Sequence, residues 1–396
     1  MSVAAPIADV RGAARRLAAT ATGERDAALE QIARGLERRS AEILAANAID
    51  AEAAAGERPA IRDRLALDPG RVADLAEAVR AVARLDDPVG RTIREFTPPS
   101  GIRIRKLRVP LGVVLVVYEA RPNVTVDAAA LCLKSANACI LRGSRMAAHT
   151  NRVLVDVVRE ALVAAGLPAD AVTAVEGGHG ALAELIADPA TADVVIPRGG
   201  EELKKLLLRE SRIPVLAAAG GNCHVYVDAS ADADQAVAIV LNAKVQRPGV
   251  CNAAETLLVH RDRPELLARI SAELEAAGVE LAEGEEAYAT EYLDMKMAVG
   301  SVDSLDAAIA HINRHGTGHS EAIVTQDDAA AARFCNEVDA AAVYVNASTR
   351  FTDGGEYGMG AEIGNSTSRL HARGPVGLEE LTTTKYVVHG AGHVRA

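Results

Sequence analysis

Cys251 lies in the stretch 245–256, Val-Gln-Arg-Pro-Gly-Val-Cys-Asn-Ala-Ala-Glu-Thr, the one cysteine setting in this chain that reads as reactive. Pro248 and Gly249 force a turn just ahead of it, and Asn252, Ala253 and Ala254 leave open space around the sulfur. A thiol presented in this way can be reached by an electrophilic carbonyl, and nearby backbone N–H groups or a helix N-terminus would raise its thiolate fraction. The competing reading is a small hydrophobe buried in the core, the commonest role of a cysteine.

Other constellations carry less. Gly178-His179-Gly180-Ala181-Leu182-Ala183 satisfies a loose G-x-G-x-x-A pattern, but no acidic partner is clearly placed, and a tight turn explains it equally. Ile196-Pro197-Arg198-Gly199-Gly200 reads as a strand–turn–helix junction whose N–H groups could face a phosphate. His311, His315 and His319 recur every fourth residue, yet Gly316 and Gly318 interrupt the helix that would align them. With no acidic companion and no cysteine pair, no metal is predicted. Neither a serine elbow nor a Walker lysine pattern is present.

The elements that position these residues follow from periodicity. Leu29, Ile32, Leu36 and Ile43, then Val72, Leu75, Val79 and Val82, fall at helical spacing, so the first ninety residues read as helical. Pro98, Pro99 and Gly101 end that region. Ile102, Ile104 and Leu107 then alternate with arginines, as in a half-exposed protruding strand. Residues 113–118 form a continuous apolar run, the mark of a strand buried on both faces. Short β-like runs at 138–141, 172–175, 194–196 and 215–216 alternate with helical stretches at 151–165 and 181–187. A second series follows Gly220-Gly221-Asn222, with strands at 224–227, 256–259, 322–325 and 343–345, helices around 234–242, 264–277 and 327–338, and a last strand at 386–388. The expected fold is α/β: two doubly wound lobes meeting near residue 222, plus a small arm. Such sheets bind ligands at the carboxyl ends of their strands.

Composition narrows the function. In 396 residues, 49% are hydrophobic and 24% charged, an ordinary globular balance, while aromatics at 3% imply aliphatic cores. A net charge of -11 without a concentrated basic face argues against nucleic-acid or anionic-membrane partners and leaves small molecules. Five scattered cysteines suit a reducing compartment. No signal peptide or membrane-spanning run is apparent, so a cytoplasmic location is expected.

Several longer motifs carry a resemblance. Tyr118-Glu119-Ala120-Arg121-Pro122-Asn123-Val124-Thr125, Cys223-His224-Val225-Tyr226-Val227-Asp228, the Cys251 segment, Gly360-Ala361-Glu362-Ile363-Gly364 and Ala372-Arg373-Gly374-Pro375 closely resemble the γ-glutamyl phosphate reductase family of the aldehyde dehydrogenase superfamily. The resemblance runs from the first helices to the last strand. It implies a nicotinamide cofactor domain at 1–98 and 112–222, a catalytic domain at 223–370, and an oligomerisation element at 99–111 and 371–396.

By the same resemblance Cys251 is the nucleophile, and the Asn123 amide holds the oxyanion with the backbone N–H of Cys251. Arg142 and Ser144 grip the adenosine ribose, Glu291 holds the nicotinamide ribose, and Gly199 and Gly200 lie near the pyrophosphate. Arg121, Arg369 and Arg373 are the candidate cations for the substrate carboxylate. Arg142 stands where many relatives carry a lysine, which favours NADPH over NADH. The implied reaction is reduction of L-glutamyl 5-phosphate to the 5-semialdehyde in proline biosynthesis, by a homo-oligomer with a possible glutamate kinase contact.

Relatives that hydrolyse the thioester use a glutamate near the Gly-Gly of the domain junction, whereas here the stretch is Leu216-Ala217-Ala218-Ala219-Gly220-Gly221, with no titratable side chain. The rivals are a hydrolytic aldehyde dehydrogenase and a nucleotide-binding scaffold that has lost turnover.

Overall fold

The computed structural model describes residues 9–216 and 220–395; the stretch 217–219 lies outside the described residues. The chain forms two compact units, Met1–Leu216 with Gly358–Gly364 and Val376–Ala396, and Ala217–Tyr357 with Asn365–Pro375.

The first unit opens with the helices Val10–Leu17, Thr22–Arg38, Ser40–Ala53, Pro59–Leu65 and Pro69–Arg84. Each long helix buries the stripe its periodicity announces: Leu29, Ile32 and Leu36 in one, Val72, Leu75, Val79 and Val82 in another. The Asp68 side chain starts the last of them by accepting from the Arg71 N–H at 2.8 Å. Strands β1 (Thr92–Phe96) and β2 (Arg103–Pro110) then pair antiparallel, Phe96 opposite Ile104.

Next come β3 (Val113–Tyr118), β4 (Ala138–Arg142), β5 (Val172–Ala174) and β6 (Val194–Arg198), all parallel in the order β5-β4-β3-β6. β3 is buried along its whole length, as its unbroken apolar run requires. The chain steps outward from β3 through β4 to β5 and then crosses to the other side of β3 for β6. The switch point therefore lies between β3 and β6. The strand expected at 215–216 is reduced to a single bridge, Val215 with Val195. Pro214, which has no N–H to donate, stands just ahead of it.

The second unit is built on β7 (Cys223–Val227), β8 (Ala254–His260), β9 (Glu280–Ala282), β10 (Lys296–Val302), β11 (Ser320–Val324) and β12 (Ala342–Val345). They form one parallel sheet in the order β12-β11-β7-β8-β10-β9, again doubly wound. Val225, Leu257 and Val299 face one core and Tyr226 and Leu258 the other, as alternation along parallel strands dictates, and Phe334 of the helix Asp328–Glu337 packs into the second. Sequence reading did not find β10, because Gly300 breaks its apolar run. That glycine is needed, since a Cβ there would stand 2.4 Å from the Tyr288 hydroxyl.

In the same unit β13 (Asn365–Ser366) pairs with β14 (Gly374–Pro375). In the first unit β15 (Thr382–His389) returns antiparallel to β2 and completes the sheet β1-β2-β15. Tyr386 and Val388 on β15 stay exposed. No helix among the described residues is long and apolar enough to cross a membrane.

Candidate active site

Cys251 sits half-buried in the turn between helix Ala233–Val245 and β8. Two contacts pin its carbonyl. Gly221 packs so tightly that a Cβ on it would fall 1.6 Å from the Cys251 oxygen, and the Cys223 thiol donates to the same oxygen at 3.2 Å. Burial pushes the Cys223 thiol well up, so it stays protonated and can serve as that donor. Glu291 Oε1 accepts from the Gly221 N–H at 2.6 Å, which ties the glycine to a third segment and leaves its second carboxylate oxygen for another donor.

The residue after the sulfur is stapled as firmly. Asn252 is buried, and its Nδ2 donates to the carbonyl of Thr352 at 2.9 Å, while its own carbonyl accepts from the Thr349 hydroxyl at 2.7 Å. Its Oδ1 accepts from Arg350 Nη1, and Arg350 Nε donates to Gln246 Oε1 at 2.8 Å. Arg350 thus lies against the nucleophile's loop. Sequence reading missed it, because nothing in the order Ser-Thr-Arg-Phe announces a neighbour almost a hundred residues earlier. Beneath the loop, Lys244 and Glu255 form a fully buried pair at 2.7 Å, and burial pushes the Glu255 carboxyl up to about 7 against the pull of Lys244.

Arg369 and Arg373, expected to meet a substrate carboxylate, both engage Asp339, Arg373 at 2.8 Å. His311 and His315 do share the helix Leu305–His315, which ends before Gly316, and His319 lies beyond it. Their rings pack with Tyr288, His311 also edge-on to His224, which meets Glu321 at 3.0 Å. Burial holds His311 down to about 4, and hence neutral.

In the first unit the expected cofactor residues other than Glu291 lie at the carboxyl ends of β4 and β6. Arg142, at the end of β4, donates to the carbonyls of Gly177 and Gly178 at 3.0 and 3.2 Å, which gives the Gly178 turn a structural purpose. Its buried Nε has no partner. Ser144 accepts from the Met146 N–H at 3.2 Å and caps a short 3-10 turn. At the β3/β6 switch point Glu119 Oε2 accepts from the Gly200 N–H at 2.9 Å. The N-terminus of helix Glu201–Glu210 therefore already faces a carboxylate, a partner that no local pattern reveals. Fit to a dinucleotide is good at the ribose end, where Arg142 retains an orphaned donor, and poorer for a pyrophosphate at Gly200.

Asn123 opens helix Pro122–Lys134, and Arg121 is the residue just before it. Asn123 Nδ2 donates to Asp127 Oδ2 at 3.0 Å, one turn on, which orients the amide and leaves its second N–H available. Burial pushes Asp127 up to about 6, against the pull of Asn123 and Arg198.

The comparisons agree with this architecture. The aldehyde dehydrogenase family model matches residues 1–289 and 297–387. γ-Glutamyl phosphate reductase from Thermobifida fusca is 52% identical over 403 residues, covering 97% of this chain and 96% of that protein. The crystal structure of γ-glutamyl phosphate reductase from Thermotoga maritima superimposes with a TM-score of 0.98 at 44% identity, covering 100% of both chains. An engineered glycolyl-CoA reductase with bound NADP+ shares the fold, with a TM-score of 0.71 at 14% identity over 98% of this chain and 96% of that one. This chain belongs to the aldehyde dehydrogenase family, in the branch of the γ-glutamyl phosphate reductases.

Proposed function

We propose that the chain reduces L-glutamyl 5-phosphate to L-glutamate 5-semialdehyde and inorganic phosphate with NADPH, the second step of proline biosynthesis. The observation that carries the reading is the Cys251 loop: a half-exposed thiol on a backbone immobilised by Gly221 and Cys223, in a chain 52% identical to reductases of that name. The thiolate attacks the γ-carbonyl, the carbon–oxygen bond to phosphate breaks, and a thioester remains on Cys251. In this reading the Asn123 amide and the Cys251 backbone N–H hold the oxyanion as it forms.

A reduced nicotinamide, when bound, supplies the hydride that takes the thioester to the aldehyde level. Arg142, Ser144 and the second oxygen of Glu291 are the groups assigned to its riboses; a pyrophosphate at Gly199 and Gly200 would require Glu119 to release the Gly200 N–H. Arg142 is the reason for preferring NADPH. Arg121, Arg369 and Arg373 are the candidates for the α-carboxylate, the last two already engaged with Asp339. No titratable side chain occurs between Leu216 and Gly220, so this region offers no base to hydrolyse the thioester. A cytoplasmic homo-oligomer joined through the β1-β2-β15 sheet, with glutamate kinase as a possible contact, completes the proposal.

Steady-state kinetics with the semialdehyde and NADP+ test it. NADPH formation beyond one equivalent per active site should require phosphate; sustained formation without phosphate would make the chain a hydrolytic aldehyde dehydrogenase, and none under either condition a non-catalytic scaffold.

A further inference from the structure

The second unit contains eleven lysine and arginine side chains, and nine of them form ion pairs with carboxylates. The two that form none among the described residues, Arg247 and Arg350, both border the Cys251 loop. Arg247 precedes the Pro248-Gly249 turn and is exposed. Arg350 is half-buried and held by neutral amides only, Gln246 Oε1 and Asn252 Oδ1, which leaves three of its five N–H groups without a partner among the described residues.

The acids nearest in sequence do not neutralise it. Asp353 turns its carboxylate to the N–H groups of Gly355 and Glu356, and neither Asp353 nor Glu356 reaches Arg350 as an ion pair. Burial first and then Arg247 press the Arg350 guanidinium down, while Asp353, Cys251 and Glu356 support its charge from a distance without pairing with it. Two cations beside a nucleophile, neither with an ion-paired carboxylate among the described residues, are arranged for an anion.

The proposed substrate carries two anions. Its phosphoryl oxygen is bonded directly to the carbon that sulfur attacks, whereas three carbons separate that carbon from the α-carboxylate. A cation hydrogen-bonded to the residue next to Cys251 is therefore matched to the phosphoryl group.

Building on the function proposed above, we propose that Arg350, with Arg247 beside it, holds the phosphoryl group while Cys251 displaces it, and binds inorganic phosphate in the reverse direction. The sulfur–carbon bond forms, the carbon–oxygen bond breaks, and its electron pair leaves on phosphate; the thiol proton has already gone to solvent. The bidentate guanidinium neutralises the leaving oxygens.

The test uses the full chain in the reverse direction, with phosphate varied. Arg350→Gln should raise KM for phosphate at least about tenfold while KM for NADP+ stays within about twofold, and Arg350→Lys should recover part of the loss. Inorganic phosphate should also slow iodoacetamide labelling of Cys251 in the parent protein and not in Arg350→Gln. Because the buried face of Arg350 supports the loop, Arg247→Gln provides a second variant that breaks no hydrogen bond or ion pair among the described residues; it should raise KM for phosphate several-fold. An unchanged phosphate KM in both variants, or equal rises for phosphate, NADP+ and aldehyde, overturns the assignment. A parent protein that turns over without phosphate would instead overturn the reading on which it rests.

Discussion

Gly221 and Cys251 meet backbone to backbone, so closely that any side chain at 221 would overlap the Cys251 carbonyl. The nucleophile's position is thus fixed by a residue thirty positions earlier, at the start of the second sheet. Gly221→Ala must displace the loop, and a shift of about 1 Å at a nucleophile can cost about 100-fold in rate. We expect kcat to fall by at least that factor, with a lower melting temperature and unchanged far-UV circular dichroism. Activity within threefold of the parent would show that the loop tolerates movement.

Glu291 acts on the same glycine through its N–H. Glu291→Ala leaves a half-buried donor unmet, at a cost of about 1–3 kcal/mol. Glu291→Gln keeps an acceptor oxygen. The alanine variant should lose about tenfold in kcat and several degrees in melting temperature, and the glutamine variant much less of both. Equal losses in the two, confined to KM for NADPH, would assign the residue to the cofactor alone.

Asp127 gives the Asn123 amide a pH dependence. Its folded-state pKa, about 6, lies above the ordinary carboxylate range, so its contribution to stability is fully present below that range and is lost as pH rises through about 6. Asp127→Asn cannot ionise and still offers an oxygen to Asn123. Melting temperatures of parent and variant, compared from pH 4 to 7.5, should diverge across this interval, the parent losing stability relative to the variant as pH rises. Parallel curves would mean that Asp127 titrates normally.

Arg142 should set cofactor preference. It is clamped by the carbonyls of Gly177 and Gly178 and keeps one orphaned donor, so Arg142→Gln removes both a charge and a loop anchor. The ratio of kcat/KM for NADPH to that for NADH should fall about tenfold, since one charge-assisted phosphate contact is worth about 1.5–3 kcal/mol. A constant ratio would place the 2′-phosphate elsewhere.

What the sequence disclosed follows from locality. β3 is a continuous apolar run, the early helices repeat their apolar stripe every turn, and the Pro248-Gly249 turn announces an accessible Cys251; each signal is local in the sequence. β10 escaped because Gly300, demanded by Tyr288, interrupts its pattern. Glu119 at the N-terminus of helix Glu201–Glu210 and Gly221 against Cys251 are contacts between distant segments, and neither leaves a local trace. Arg350 was hidden for a different reason: what marks it is the lack of an acidic partner, a property of the folded surroundings.

The central claim is that Cys251 carries the acyl group. Protein mixed with semialdehyde and NADP+ in phosphate-free buffer, quenched and weighed intact, should gain the mass of one glutamyl group, mapped to the Cys251 peptide and discharged when phosphate is added. An acyl group on another residue, or no adduct in a preparation that turns over once phosphate is present, would contradict the account.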